Sequence, residues 1–143
     1  MSAETSTRSN SEVFFEWQRC IAANDRAGLA QVVDLDTYRE ICLGLTEWTT
    51  GYAVAADNFY RNMVAPWSDL SFNVEDLHES AEAVTVRMRV EATHAGEFLG
   101  VPATGKRLAW DHVAIVKIKD GRVIGQWAQP DLWGIHKQLT RDI

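Results

Sequence analysis

The apolar positions of this chain change period once. They recur at helical spacing up to Trp67, and from Ser68 onward they alternate. Val13, Phe14, Trp17 and Ile21 form the first helical run, and Ser9 with Glu12 supplies both halves of a capping box ahead of it. The stretch "AANDRAGLAQVV" predicts a short second helix capped by Asn24 or Asp25. Thr37 to Leu45 holds β-prone residues with poor alternation and is a candidate strand. A third helix is predicted over Thr49 to Trp67, with Tyr52, Ala56, Phe59, Tyr60, Met63 and Trp67 on one stripe and Pro66 at its end.

The second half reads as strands. "LSFNVEDLH" is one. "AEAVTVRMRVEATH" is another, with Val84, Val86, Met88, Val90 and Ala92 on one face and Thr85, Arg87, Arg89, Glu91 and Thr93 on the other. "RLAWDHVAIVKI" and "RVIGQWAQ" follow, joined by an Asp120-Gly121 hairpin turn. Pro130 opens a closing helix from Asp131 to about Arg141. Helices followed by a run of antiparallel strands predict an α+β fold, a twisted sheet curling around the N-terminal helices and leaving a pocket between them.

Length and composition fit that picture. The 143 residues suit one domain, expected over residues 11–143 behind a Ser- and Thr-rich disordered leader over 1–10. A net charge of −6 argues against a nucleic-acid partner. No apolar run approaches the roughly 20 residues that span a bilayer, and the N-terminus carries no signal-peptide pattern. Cys20 and Cys42 form neither a metal spacing nor a redox motif, so a reduced, cytoplasmic protein is expected. No metal is expected either, because His78, His94, His112 and His136 lack familiar ligand spacing. With no phosphate loop and no nucleophile elbow, no cofactor is expected.

Strand parity selects the candidate site. His94 continues the apolar face of its strand, and His112 shares the face of Leu108, Trp110, Ala114 and Val116. Each is a buried, hydrogen-bonded core histidine or a pocket acid–base group, since imidazole titrates near neutral pH. Gln126 shares the inward parity of the last strand if Ile124 does, and is a ligand contact or a satisfied buried amide. Asp131 is a catalytic carboxylate or a helix N-terminal one. Asp57 flanks the third helix's stripe, at a pocket rim or in solvent. Trp110 is a candidate stacking surface, and Phe59, Tyr60 and Met88 are candidates to line the pocket. Val113, Ile115, Val123 and Trp127 take the opposite parity, an apolar outer face suited to a homodimer.

The segment "THAGEFLGVPATGKR", followed by "VKIKDGRVIGQW" and "PDLWGIHKQL", resembles the SnoaL-like polyketide cyclases, also described as predicted ester cyclases, over roughly Ser68 to Leu139. The resemblance implies an NTF2-like α+β barrel with a deep pocket and cofactor-free chemistry on a hydrophobic, polyketide-derived small molecule in secondary-metabolite (antibiotic) biosynthesis. It also implies departures. The catalytic Asp of the ring-closing cyclases matches Ala128 here, and their pocket His aligns with Ala114. The Arg-x-Asp pair of the related limonene-type epoxide hydrolases falls near Ala92 and His94. Proton transfer is therefore expected from His94 as base with His112 or Gln126 as donor, and Trp110 shaping the substrate. Cyclisation or isomerisation is the first reading. A cofactor-free hydroxylase of an aromatic polyketide and a non-catalytic small-molecule binder are the alternatives.

Overall fold

Ser9 opens the first helix as its spacing requires. In the computed structural model, which describes residues 8–141, Glu12 N–H donates to Ser9 Oγ (3.1 Å) and Ser9 N–H to Glu12 Oε1 (2.8 Å) at the start of α1 (Asn10–Ala23). The first seven residues of the expected leader lie outside the described residues, and Asn10 is already helical. Asp25 caps α2 (Arg26–Val32) by accepting from Gly28 N–H, whereas Asn24 ends α1 in the left-handed conformation, φ 52°.

The candidate strand forms as β1 (Arg39–Cys42), paired with a two-residue β2 (Thr49–Thr50). The third helix is accordingly shorter than expected, α3 (Tyr52–Met63). The β-branched Thr49 and Thr50 pair with Glu40 and Arg39 instead of entering the helix. Its inward face also differs from the expected stripe. Tyr52, Ala55, Phe59 and Met63 turn inward, while Ala56 and Tyr60 are exposed.

Four long strands follow: β3 (Trp67–Glu79), β4 (Ala83–His94), β5 (Arg107–Lys119) and β6 (Arg122–Pro130). With the first two they make one curved sheet in the order β2-β1-β6-β5-β4-β3. Every pairing is antiparallel except β1 on β6, a parallel pairing the sequence pattern does not announce. The turn at Asp120-Gly121 has positive φ at both residues (51° and 75°), which suits a tight hairpin between right-twisted strands. Helix α4 (Leu132–Thr140) closes the chain.

One β-bulge corrects the outer-face reading. β5 and β6 pair Lys117 with Gly125 and then Ile118 with Val123, so Ile124 is extra. The extra residue flips parity beyond it. Val123 is fully buried in the core rather than on the outer face, and Gln126 and Ala128 still point inward. Gly125 beside the bulge is required by close approach, because a Cβ there would sit 2.1 Å from the Arg39 carbonyl oxygen of β1. Val113, Ile115 and Trp127 remain half-buried on the outer face.

The core is two clusters. Val13, Phe14, Trp17 and Cys20 of α1 pack with Val84, Val86, Ala114, Val116 and Val123 of the sheet. Trp67, Val90, Phe98, Leu108 and Trp110 pack with Ile135 and Leu139 of α4. Phe72 touches both clusters, and a cleft opens at their boundary.

Candidate active site

The cleft is lined by Glu40 and Cys42 of β1, Thr46 of the loop that follows, Asn58, Phe59, Asn62 and Met63 along α3, His112 of β5, and Gln126 and Ala128 of β6. Its enclosed volume is about 30 Å³, space for one or two waters, and counting the open mouth brings the empty space to about 360 Å³.

His112 enters from the floor. It is 6% exposed and sits opposite Met88, with the Phe72 ring edge-on at 6.5 Å. Neither ring nitrogen has a hydrogen-bond partner among the described residues, and Nδ1 is fully buried. Burial in this apolar setting pushes its pKa down to about 4, so the imidazole is neutral at physiological pH. It is an unengaged base on the wall of a cleft.

Gln126 faces Glu40 across the parallel β1–β6 pair and donates from Nε2 to Glu40 Oε1 at 3.1 Å. Tyr38 Oη donates to the same oxygen. Glu40 is 7% exposed, and burial raises its pKa against the lowering effect of these two donors. Cys42 is pushed up to about 12 by burial, with the charge of Glu40 adding to it, so it stays a thiol. Glu40 was not among the sequence candidates. The available signal was the alternation of Tyr38, Glu40 and Cys42, which puts a carboxyl on an inward face.

The structure does not bring His94 and His112 together. His94 lies six residues along β4 from Met88, the partner of His112, which is about 20 Å of strand. His94 is fully buried in the other cluster, its ring 5.4 Å from that of Trp67. Thr104 N–H donates to His94 Nδ1 (3.1 Å) and Thr104 Oγ1 lies 3.0 Å from the same atom. Nδ1 is thus an acceptor, and burial lowers the pKa of the ring. The shared cavity expected for the two histidines is not formed, because same-face residues on long strands can lie far apart along them.

The remaining candidates divide in the same way. Phe59 and Gln126 line the cleft. Met88 pairs with His112 from β4 and does not line the cleft. Trp110 is buried against Trp67, ring centroids 4.9 Å apart, and is core rather than a stacking surface. Asp131 is exposed and caps α4 by accepting from Gly134 N–H at 2.9 Å. Asp57 pairs with Arg61 on the solvent side of α3, and Tyr60 is 58% exposed, so neither reaches the cleft. Among the described residues no three His, Cys, Asp or Glu side chains gather where they could hold a metal ion, and no helix is long and apolar enough to cross a membrane.

Comparison with known proteins accords with this architecture. A protein of Jannaschia sp. CCS1, a proposed SnoaL-like polyketide cyclase, superposes with a TM-score of 0.81 at 21% identity, covering 100% of this chain and 99% of its own. AclR of Streptomyces galilaeus, a proposed hydroxylase, gives 0.71 at 22% identity over 91% and 94% of the two chains. At these identities the likeness shows the fold. In sequence, the aklanonic acid methyl ester cyclase DnrD of Streptomyces peucetius is 27% identical over 79 residues, 51% of this chain and 54% of the cyclase. The match thus spans about half of that relative's length. Residues 47–139 match the family described as SnoaL-like polyketide cyclase, a span that includes His112 and Gln126 and begins after Glu40. The chain belongs to the SnoaL-like polyketide cyclase family.

Proposed function

We propose that the protein is a cofactor-independent cyclase or isomerase of a polyketide-derived small molecule, working by proton transfer in the cleft between α3 and the sheet. The observation that carries this reading is His112, a neutral, unpartnered imidazole on the wall of that cleft. The neutral imidazole has a ring nitrogen free to take a proton from carbon next to a carbonyl, the first event in an aldol-type ring closure. Gln126, Asn58 and Asn62 supply the polar contacts that orient a carbonyl-rich substrate, and Phe59 supplies an apolar wall. The enclosed part has room for only one or two waters, so any ring-bearing substrate lies largely in the open mouth of the cleft. The protein acts in the cytoplasm, as a homodimer joined through Val113, Ile115 and Trp127.

The test is turnover of a panel of aromatic and reduced polyketide intermediates, with and without oxygen, followed by product mass. An isomeric or dehydrated product formed equally well without oxygen supports the reading. A product that gains an oxygen atom, and only in air, replaces it with hydroxylation. No turnover combined with tight binding replaces it with a binding function.

A further inference from the structure

Of the ten residues lining the cleft, only Glu40, Cys42 and His112 carry titratable groups, and the Cys42 thiol is held protonated. The geometry points to Glu40 as the second proton-transfer group of this site, a carboxyl presented to the substrate from β1, two strands over from the His112 base on the same face of the sheet. This inference rests on the acid–base reading above and adds to it a catalytic residue and a substrate requirement.

The two oxygens of Glu40 are not equivalent. Oε1 accepts from both Tyr38 Oη and Gln126 Nε2, one from its own chain segment and one from β6. Oε2 has no hydrogen-bond partner among the described residues, which leaves it free to meet a substrate in the cleft that Glu40 lines. A carboxyl braced by two donors on one oxygen keeps its other oxygen in a fixed direction, which is the orientation a proton donor needs. Burial favours the protonated form, in which Oε2 carries the hydrogen. No cation pairs with Glu40 among the described residues. The titratable groups around it are Tyr38 and Cys42 on its own segment, Tyr52 of α3, and His112 across the cleft.

Register places the two groups apart. Glu40 is level with Gln126 and hence with Val116, two strands over, and His112 is four residues further along β5. The backbones are on the order of 15 Å apart, so the side chains flank a substrate rather than each other. The substrate class that uses both is one with an enolisable carbonyl. His112 takes the proton from the carbon beside the carbonyl. The C–H electron pair moves into the new carbon–carbon double bond, and the carbonyl oxygen takes the proton from Glu40 Oε2. The enol carbon then attacks a second carbonyl carbon in the same molecule, whose oxygen takes the proton back from the imidazolium. Glu40 recovers its proton from the enol oxygen as the first carbonyl re-forms. One C–C bond is made, the product is an isomer, and both side chains end as they began.

The experiment is the pH dependence of kcat and KM for wild type, E40Q and E40D on any panel member that wild type converts. Wild type should give a bell: activity falls at acid pH as His112 protonates, and falls on the alkaline side as Glu40 loses a proton that burial holds on above the ordinary carboxylate range. E40Q preserves the acceptor for Tyr38 and Gln126 and should lose about 100-fold or more in kcat. Its KM should change little, and its alkaline limb should vanish. E40D should keep the limb at reduced rate, which a merely structural role does not produce. Full kcat in E40Q with active wild type overturns the role of Glu40 and leaves the acid–base reading standing. If E40Q does not fold, a wild-type profile without an alkaline limb overturns the role by itself. A wild type that converts nothing overturns both.

Discussion

Thr104 and His94 lock each other across the neck of the loop between β4 and β5. Thr104 gives its backbone N–H to His94 Nδ1, and its Oγ1 in turn accepts from Lys106 N–H at 3.2 Å. The backbone closes the same neck, with His94 N–H donating to Lys106 O and Gly105 N–H to His94 O, both at 2.9 Å. The histidine that strand parity nominated as a base is therefore a clasp that holds a loop. Replacing His94 with Ala leaves a cavity beside Trp67 and frees the Thr104 donor. The expected loss is about 2 to 4 kcal/mol of stability, read from urea unfolding.

Lys106 extends the clasp to the end of the chain. Its Nζ donates to the carbonyl oxygens of Gln138 and Leu139 (3.2 Å each) and Arg141 (2.7 Å), groups the last turn of α4 cannot satisfy itself. Lys106→Met should loosen that turn by about 1 kcal/mol. Hydrogen exchange at the amides of Gln138 to Thr140 should accelerate, while exchange in β5 stays unchanged.

Gly125 fixes the distance between β1 and β6. An added Cβ meets the Arg39 carbonyl, so Gly125→Ala must push β1 off the sheet. About 3 kcal/mol of destabilisation is expected in chemical unfolding. Because β1 carries Glu40, catalytic activity per folded molecule should fall as well.

His112 gives stability a pH dependence of definite sign. Its pKa in the folded protein, about 4, lies below its ordinary 6.5, so the unfolded chain binds the proton more readily. Stability is complete above pH 6.5 and declines as pH falls from there towards 4. The loss approaches about 3 kcal/mol. His94 acts in the same direction. His112→Asn should flatten this acid slope in denaturant titrations between pH 7 and 4.

Much of this architecture is legible in local pattern. The Ser9 box, the alternation of β4 and β5 and the Asp120-Gly121 turn each depend on residues close in sequence. Glu40 is hard to read because its setting is not local. β1 is four residues long, and its parallel partner β6 lies more than eighty residues away. Val123 was misplaced for a related reason, since one extra residue at Ile124 resets the period and only Gly125 marks the spot. The pairing of His94 with His112 failed on distance along the strand, which parity does not encode.

The placement of the chemistry is tested most directly by kcat of His112→Asn beside that of His94→Asn, each corrected for its folded fraction. Loss of about 100-fold or more in the His112 variant, with the His94 variant within about 3-fold of wild type, is the result expected if the base sits in the cleft. Full activity without the His112 imidazole, or a loss confined to the His94 variant, would contradict that placement and move the reaction to the other end of the sheet.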